Sequence, residues 1–196
     1  MKKIISIFLI TIFFLALKGE SIVAAPIRIM VITGGHDFEK EKFNLMLSSL
    51  GPSISFQILE LPAAFDMFRP ENRNKYDVLV FYHMWQKISA EEARIFDDCI
   101  RQGKPLVVLH HSICAFDEWP LYWEIIGGKY FHTQTTYKGK VYGPCSYIHD
   151  VHFTVRIADR THPVTRGLED FQIFDETYKG YYVSEDVTPL LTTDEP

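Results

Sequence analysis

The chain has 196 residues, of which 47% are hydrophobic and 23% charged, and its formal net charge is −5. This composition is typical of a single globular domain that is long enough to bury a sizeable core. The acidic balance, without any basic stripe, argues against a nucleic-acid-binding surface, so we expect no nucleic-acid partner.

The first 25 residues have the organisation of a secretory signal peptide. Lys2-Lys3 precede an apolar run at 4–17, and Val23-Ala24-Ala25 is a small-residue cleavage site. The apolar run is shorter than the ~20 residues that a membrane span needs, which makes an uncleaved anchor the less favoured alternative. We therefore predict an exported protein, periplasmic or extracellular, with its domain at 26–196 and no stable membrane span after cleavage.

The chain contains three cysteines, at positions 99, 114 and 145. An odd number excludes a framework in which every cysteine is paired. Cys99 lies on a predicted helix face and is expected to pack, whereas Cys114 and Cys145 either pair or stay free. Because no CxxC occurs, a zinc site built from thiolates is not expected.

Strands and helices are predicted to alternate in the first two thirds of the chain. In chain order we expect a strand at 27–33, a helix at 38–50, a strand at 54–59, a loop at 61–74, a strand at 76–82, a helix at 89–102, a strand at 105–109 and a helix at 121–126. Ser89 and Glu92 form a capping box for the second helix. The unbroken apolar run at 105–109 predicts a strand buried on both faces of a parallel sheet. This order is typical of a doubly wound α/β fold.

The last third of the chain is expected to be less regular. Residues 129–146 are rich in aromatic side chains and predict a long, ordered loop. Residues 147–157 alternate and predict a strand with Val151, Phe153, Val155 and Ile157 on one face. His162-Pro163 is expected to stiffen a turn, because proline fixes φ. A last strand is predicted at 187–191.

Histidines follow three of the predicted strands. His36 comes after the strand at 27–33, His83 after the strand at 76–82, and His110-His111 after the strand at 105–109. Ligands of open α/β sheets bind beyond the carboxyl ends of such strands, which makes this edge the candidate functional site. The structural alternative is that either of His110 and His111 only hydrogen-bonds a neighbouring loop.

Six stretches, taken together and in order, resemble the trehalose-utilisation (ThuA-like) family. They are TGGHDFE at 33–39, YDVLVFY at 76–82, GKPLVVLHHSICAFDEWP at 103–120, IIGGKYFH at 125–132, THPVTRGL at 161–168 and DETY at 175–178. The resemblance implies an α/β fold, a flavodoxin-like three-layer sandwich with a mostly parallel central sheet, related to class I glutamine amidotransferases. It also implies carbohydrate metabolism, with keto-sugars as ligands and a sugar oxidoreductase as a partner.

The polar positions that match the family's motifs are His36, Asp37, His110, His111, Trp119, His132, His162, Asp175, Glu176 and Tyr178. The chain departs from the related folds in two ways. Amidotransferases carry a nucleophilic cysteine directly after the central strand, where this chain has histidines, so a Cys-dependent amidotransferase is not expected. The family also continues with a further strand and a closing helix, so we expect a domain that lacks the family's C-terminal end.

Two kinds of chemistry suit these residues. His36, His111, His132 and Glu176 have the side chains of a divalent-metal site, with zinc as the leading ion, which would polarise a sugar carbonyl or activate water. The metal-free alternative is acid–base catalysis by His111, His36, Asp37 and Glu176, with Glu176 or Asp175 as the partner of His111. Asp175-Glu176 would otherwise be only solvated loop charge.

Six further assignments concern the substrate. The predicted substrate-binding residues are His110, Phe116, Trp119, His132, Asp175 and Tyr178. Aromatic rings stack on sugars, but Phe116 and Trp119 equally suit a core. We therefore expect an exported enzyme acting on a glycoside or keto-sugar, as a hydrolase or an isomerase. The alternatives are a non-catalytic carbohydrate-binding module and a structural domain with a vestigial site.

Overall fold

The computed structural model describes residues 25–194. The predicted signal peptide, residues 1–25, lies outside the described residues except for Ala25. None of the helices described is both long enough and apolar enough to cross a membrane.

Helices and strands occur together up to residue 126, and the described residues after it form strands and no helix. The strands are β1 (Ile27–Gly34), β2 (Ile54–Glu60), β3 (Val78–His83), β4 (Leu106–Val108), β5 (Gly128–Lys129), β6 (Thr135–Tyr137), β7 (Lys140–Tyr142), β8 (Ser146–Ile157), β9 (Phe171–Lys179), β10 (Tyr182–Val183) and β11 (Leu191–Thr193). The α-helices are α1 (Lys40–Ser48), α2 (Ala90–Arg101) and α3 (Pro120–Ile126), and 3₁₀ helices span Ala63–Phe68, Pro70–Lys75 and His110–Cys114.

Three parallel pairings join four strands into one sheet in the order β2-β1-β3-β4. β1 is central, with Ile29 opposite both Phe56 of β2 and Val78 of β3. Leu79 of β3 pairs with Leu106 of β4. The predicted α/β architecture with a mostly parallel central sheet is therefore confirmed.

Side chains on the two faces of the parallel sheet join different cores, because successive residues of a strand point to opposite sides. Ile32 and Phe81 belong to the larger core, which includes Phe96 of α2 and Tyr122 of α3. Val31 of β1 belongs instead to a smaller core with Leu47 of α1 and Val80 of β3. Both faces of β1 and β3 are thus covered by helices.

A second sheet is antiparallel and follows the order β11-β8-β9. Alternation in β8 is confirmed at its carboxyl half, where Val155 and Ile157 are buried. A β-bulge interrupts the β8–β9 pairing between Ile148 and Val151. β6 and β7 form a hairpin inside the stretch that was expected to be a loop.

Helix α2 confirms its predicted capping box. Ser89 Oγ accepts a hydrogen bond from the Glu92 backbone N–H, and the Glu92 carboxylate accepts one from the Ser89 N–H. These bonds satisfy two donors that the first turn of a helix leaves unpaired. The sequence therefore fixed the start of this helix to the residue.

Three more predicted elements need correction. β4 is a strand of only three residues at the edge of the sheet. Its Val107 lies on the same face as Val80 of β3, which packs against α1, but Val107 itself is 45% exposed because α1 does not reach it. The predicted loop at 61–74 contains two 3₁₀ helices. The predicted strand at 187–191 is displaced to Leu191–Thr193, since Pro189 has no N–H to donate to a ladder.

Candidate functional site

The candidate site lies at the carboxyl edge of the parallel sheet. β1 and β3 end there, and the chain leaves β4 directly into the 3₁₀ helix that carries His110 and His111. Gly35 lets the loop after β1 lie against β3, because its φ is +83° and a Cβ would come within 2.6 Å of the Met84 backbone. This close approach brings His36 to the same edge.

Two histidines and one glutamate form the centre of the site. One ligand-type atom from each of His110, His111 and Glu176 lies within 4.8 Å of the others. His110 Nε2 is 3.1 Å from Glu176 Oε2, and the Glu176 side chain is only 11% exposed. The two imidazole centroids are 4.0 Å apart. We call this group the His-His-Glu cluster.

An unusual backbone conformation presents the two imidazoles together. His110 has a φ of +44°, in the left-handed region that residues with a Cβ rarely adopt. Its ring stacks on Tyr178, with centroids 5.2 Å apart and planes only 8° apart. The Tyr178 hydroxyl lies 3.3 Å from His110 Nε2. The tyrosine therefore fixes the orientation of the His110 ring.

Glu176 reaches the cluster from the antiparallel sheet. Thr177 pairs with Ile148 and Asp175 with Val151, so Glu176 of β9 lies opposite the two residues of the β8 bulge, His149 and Asp150. A bulge changes the direction of the side chains of the strand that carries it, here β8. His149, inside the bulge, places Nδ1 3.6 Å from Glu176 Oε1. Each carboxylate oxygen of Glu176 therefore faces one imidazole.

His36 joins His111 rather than the glutamate. The His36 and His111 rings are 4.3 Å apart, and the backbone carbonyl of Asp37 lies 2.9 Å from His36 Nδ1. His36 Nε2 and His111 Nδ1 are buried and have no hydrogen-bond partner among the described residues. Burial, and then the charges of His110 and His36, lower the pKa of His111 to about 4. His111 is consequently neutral at physiological pH.

A cavity of about 260 Å³ opens beside the cluster. It is lined by Met84, His111, Cys114, Tyr130, His132, Tyr147, His149, Glu176 and Tyr178. Burial, followed by a hydrogen bond with Glu176, raises the pKa of the Tyr178 phenol, which therefore remains a donor. Neutral imidazole, carboxylate and phenol together offer acceptors and donors, as hydroxyl-rich ligands require. We call this cavity of about 260 Å³ the histidine cavity.

Cys114 belongs to the wall of the histidine cavity and not to its chemistry. The side chain is 4% exposed, and burial raises the pKa of its thiol to about 11. A thiol that is protonated at neutral pH is a poor nucleophile. All three cysteines are free in the structure.

A buried lysine holds the segment between the cluster and α3. Lys129 Nζ donates to the carbonyls of Cys114 and Ala115, at 2.9 and 3.0 Å, and to Asp117 Oδ1 at 2.5 Å. Its burial lowers the pKa of the ammonium, while the contact with Asp117 opposes that shift. A buried charge is tolerated only when it is paired in this way. Lys129 therefore fixes the backbone that follows His111.

The structure brings some predicted residues into the site and leaves others outside it. His110, His111, Glu176 and Tyr178 converge, and His132 is exposed and lines the histidine cavity. His36 and His132, expected among the metal ligands, are not members of the His-His-Glu cluster, and His110 is. Asp37 and Asp175 are exposed, and Asp175 lies at an adjoining opening of about 320 Å³.

Two of the aromatic residues expected to bind substrate lie elsewhere. Phe116 is 2% exposed and packs on Trp119 and Tyr122, in the core position that the sequence left open as the alternative to a substrate contact. Trp119 stacks on Tyr122 and lines a separate cavity of about 870 Å³ together with Trp85. His162 stays in its turn, where its Nδ1 accepts from the Val164 N–H.

Two residues of the site were not expected from the sequence, His149 and Tyr130. Strict alternation places His149 on the face of Val151, whereas in the structure a bulge separates the two residues and His149 lies beside Glu176. Tyr130 had a usable signal, because it stands two residues before His132 in a stretch already singled out.

Comparisons with known proteins agree with this architecture. A family model described as trehalose utilisation (ThuA) matches residues 28–196. A ThuA-like protein from Parabacteroides merdae ATCC 43184 has a similar structure, with a TM-score of 0.68 and 18% identity over 86% of this chain and 68% of its own. A ThuA-like protein from Bacteroides uniformis ATCC 8492 is also similar, with a TM-score of 0.63 and 19% identity over 88% of this chain and 70% of its own. At such identities the likeness shows the fold alone. No curated protein matches the chain.

Proposed function

Because the chain belongs to the trehalose-utilisation (ThuA) family, we propose that it acts on a small carbohydrate, a glycoside or a keto-sugar, in the histidine cavity. The family links the protein to carbohydrate metabolism. The single observation that carries the proposal is the convergence of His110, His111 and Glu176 beside a cavity whose lining is rich in donors and acceptors. Sugars present hydroxyl and carbonyl groups that such a lining satisfies.

Each side chain of the cluster has its own chemical role in the proposed reaction. When no metal ion occupies the cluster, His111, held neutral by its burial, is the group that accepts a proton from a sugar hydroxyl or from a carbon beside a carbonyl. Glu176 and Tyr178 hold the ring of His110. Tyr178 keeps its phenol proton, which its hydrogen bond with the Glu176 carboxylate holds inside the cluster. These are the roles that a sugar hydrolase or isomerase distributes among its side chains.

The second candidate function is carbohydrate binding without turnover. The observation that favours it is the 870 Å³ cavity, in which Trp85 and Trp119 stand with Gln86, Asp117 and Glu118. Indole faces and acidic or amide side chains are a common surface for sugar rings. This function would depend on the tryptophans and not on His111.

We further propose three features around this activity. The parallel sheet with α1 on one face and α2 and α3 on the other is a flavodoxin-like three-layer sandwich of the class I glutamine amidotransferase type. The charged and apolar pattern of residues 1–25 directs export to the periplasm or the outside of the cell. A sugar oxidoreductase is the class of partner that would supply or consume a keto-sugar.

The test separates the two functions with three variants. The protein is incubated with a panel of glycosides and keto-sugars, products are followed by NMR, and binding is followed by calorimetry. We expect His111→Ala to abolish turnover, and the exposed control His152→Ala to retain it. Binding that survives His111→Ala but is lost in Trp119→Ala, without turnover in any protein, would instead establish the binding module. Neither turnover nor binding with any sugar would refute both.

A further inference from the structure

We infer that His110, His111 and Glu176 form a binding site for a divalent metal ion, with zinc as the best-matched ion. The inference concerns the same site as the proposed function and rests on it only for what the ion would do there. The binding itself follows from the three side chains and their surroundings.

The distances are those of a site that needs little movement to close. Ligand atoms that bind zinc at ~2.1 Å lie roughly 3–3.5 Å apart in a tetrahedral arrangement. His110 Nε2 and Glu176 Oε2 already meet this separation at 3.1 Å. The atom of His111 lies within 4.8 Å of both.

The donor set selects the class of ion. Two imidazoles and one carboxylate are ligands of zinc and of similar divalent transition metals, whereas magnesium and calcium prefer oxygen alone. Three protein ligands leave a fourth position for water or for a substrate oxygen. His111 and Glu176 both line the histidine cavity, so a ligand in that cavity would be close to an ion that they hold.

The surroundings hold the ligands as metal sites commonly do. His149 Nδ1 approaches the oxygen of Glu176 that His110 does not contact. Tyr178 stacks on His110 and fixes its plane. Partners of this kind, which orient the ligands without touching the ion, strengthen metal affinity.

The backbone of His110 is strained at the cluster. Its φ of +44° lies in the left-handed region, which is unfavourable for a residue with a Cβ. Without it, two adjacent residues of a 3₁₀ helix would point their side chains about 120° apart. Such strain persists where function needs it, and here its effect is to place two neighbouring imidazoles beside one carboxylate.

An ordinary ion pair between His110 and Glu176 accounts for less of this arrangement. It would explain the 3.1 Å contact but not the buried His111 Nδ1 and His36 Nε2, which find no partner among the described residues. A bound ion and its water would supply polar partners to this part of the site. The ion would polarise a sugar carbonyl or activate a water molecule there.

The experiment measures metal and sugar separately. The full chain is purified, treated with chelator, dialysed and titrated with Zn²⁺ and with Co²⁺, whose visible absorption reports nitrogen and oxygen ligands. We expect one equivalent of Zn²⁺ to bind with micromolar or tighter affinity. His110→Ala and the near-isosteric Glu176→Gln should each weaken it at least 100-fold, while His152→Ala should match the unmodified chain. Circular dichroism verifies that each variant is folded.

Two results would overturn the metal site. One is the absence of stoichiometric binding to the folded, metal-free chain at 100 µM Zn²⁺. The other is unchanged affinity in both folded variants. Sugar binding by the metal-free chain, lost in His111→Ala, would then leave the proposed function standing without its metal. Stoichiometric zinc without any sugar response would support the metal site and contradict the proposed function.

Discussion

Replacing His83 with asparagine should reduce the pH dependence of the stability of this protein. His83 ends β3 with 0% exposure and packs on Phe81, Phe116 and Tyr122. Burial, and then the charge of His36, lower its pKa from 6.5 to about 3. An asparagine keeps an acceptor for the Trp85 N–H, which donates to His83 Nδ1, but it cannot be protonated.

The sign and size of the effect follow from proton linkage. The pKa in the folded state is depressed, so the unfolded chain binds more protons between pH 6.5 and 3. The contribution of His83 to the free energy of unfolding is therefore fully present above pH 6.5 and is lost as the pH falls toward 3. At pH 5 the unfolded imidazole is almost fully protonated and the folded one neutral. Over about 1.5 pH units, at ~1.36 kcal/mol per unit, the loss is about 2 kcal/mol.

The assay is urea unfolding at pH 7.5 and at pH 5.0. The unmodified chain should lose about 2 kcal/mol more than His83→Asn between the two pH values, since that is the share of this imidazole. His152→Asn, at an exposed position of β8, is the matched control and should behave as the unmodified chain. Equal losses in the unmodified chain and in His83→Asn would refute the assignment of a buried, neutral His83.

Three further substitutions test the supports of the site. Lys129→Met should cost about 3 kcal/mol in urea unfolding, because two buried carbonyls lose a charged donor; a loss below ~1 kcal/mol would contradict that role. Gly35→Ala should cost more than Gly51→Ala by at least ~1 kcal/mol, because a Cβ at Gly35 meets the Met84 backbone whereas Gly51 has open space; equal costs would dismiss the close approach. Phe116→Ala should lower the free energy of unfolding by about 3–5 kcal/mol, because it leaves a cavity in the core. The sugar affinity of the folded variant should not change, and a weaker affinity would show that Phe116 contacts the sugar.

Sequence patterns predicted the parallel sheet well, because apolar runs and helix caps are local signals. Ser89 and Glu92 marked the start of α2 to the residue. The position of β4 at the edge of the sheet, and the exposure of its Val107, could not be predicted from local patterns. A run of β-branched residues indicates a strand, but whether Val107 is covered depends on how far α1 extends across the sheet.

The sequence predicted a candidate site at the carboxyl edge of the parallel sheet, and the structure brings only some of the predicted residues together there. Histidines that follow neighbouring parallel strands are expected at one edge, and the rings of His36 and His111 are in contact there. Glu176 and His149 come from a separate antiparallel pair, and His149 lies in the bulge of β8. Nothing local in the sequence marks a bulge, so the contact between His149 and Glu176 could not be predicted.

The site straddles the boundary between two separately hydrogen-bonded sheets. His111 belongs to the segment that leaves the parallel sheet, and Glu176 belongs to the antiparallel sheet. Local opening of the antiparallel sheet would thus dismantle the site while the larger core stays intact. Any ligand that contacts both His111 and Glu176 would therefore link the two sheets and stabilise their association. Amide hydrogen exchange in β8 and β9 should slow when such a ligand binds, even at positions far from the cavity.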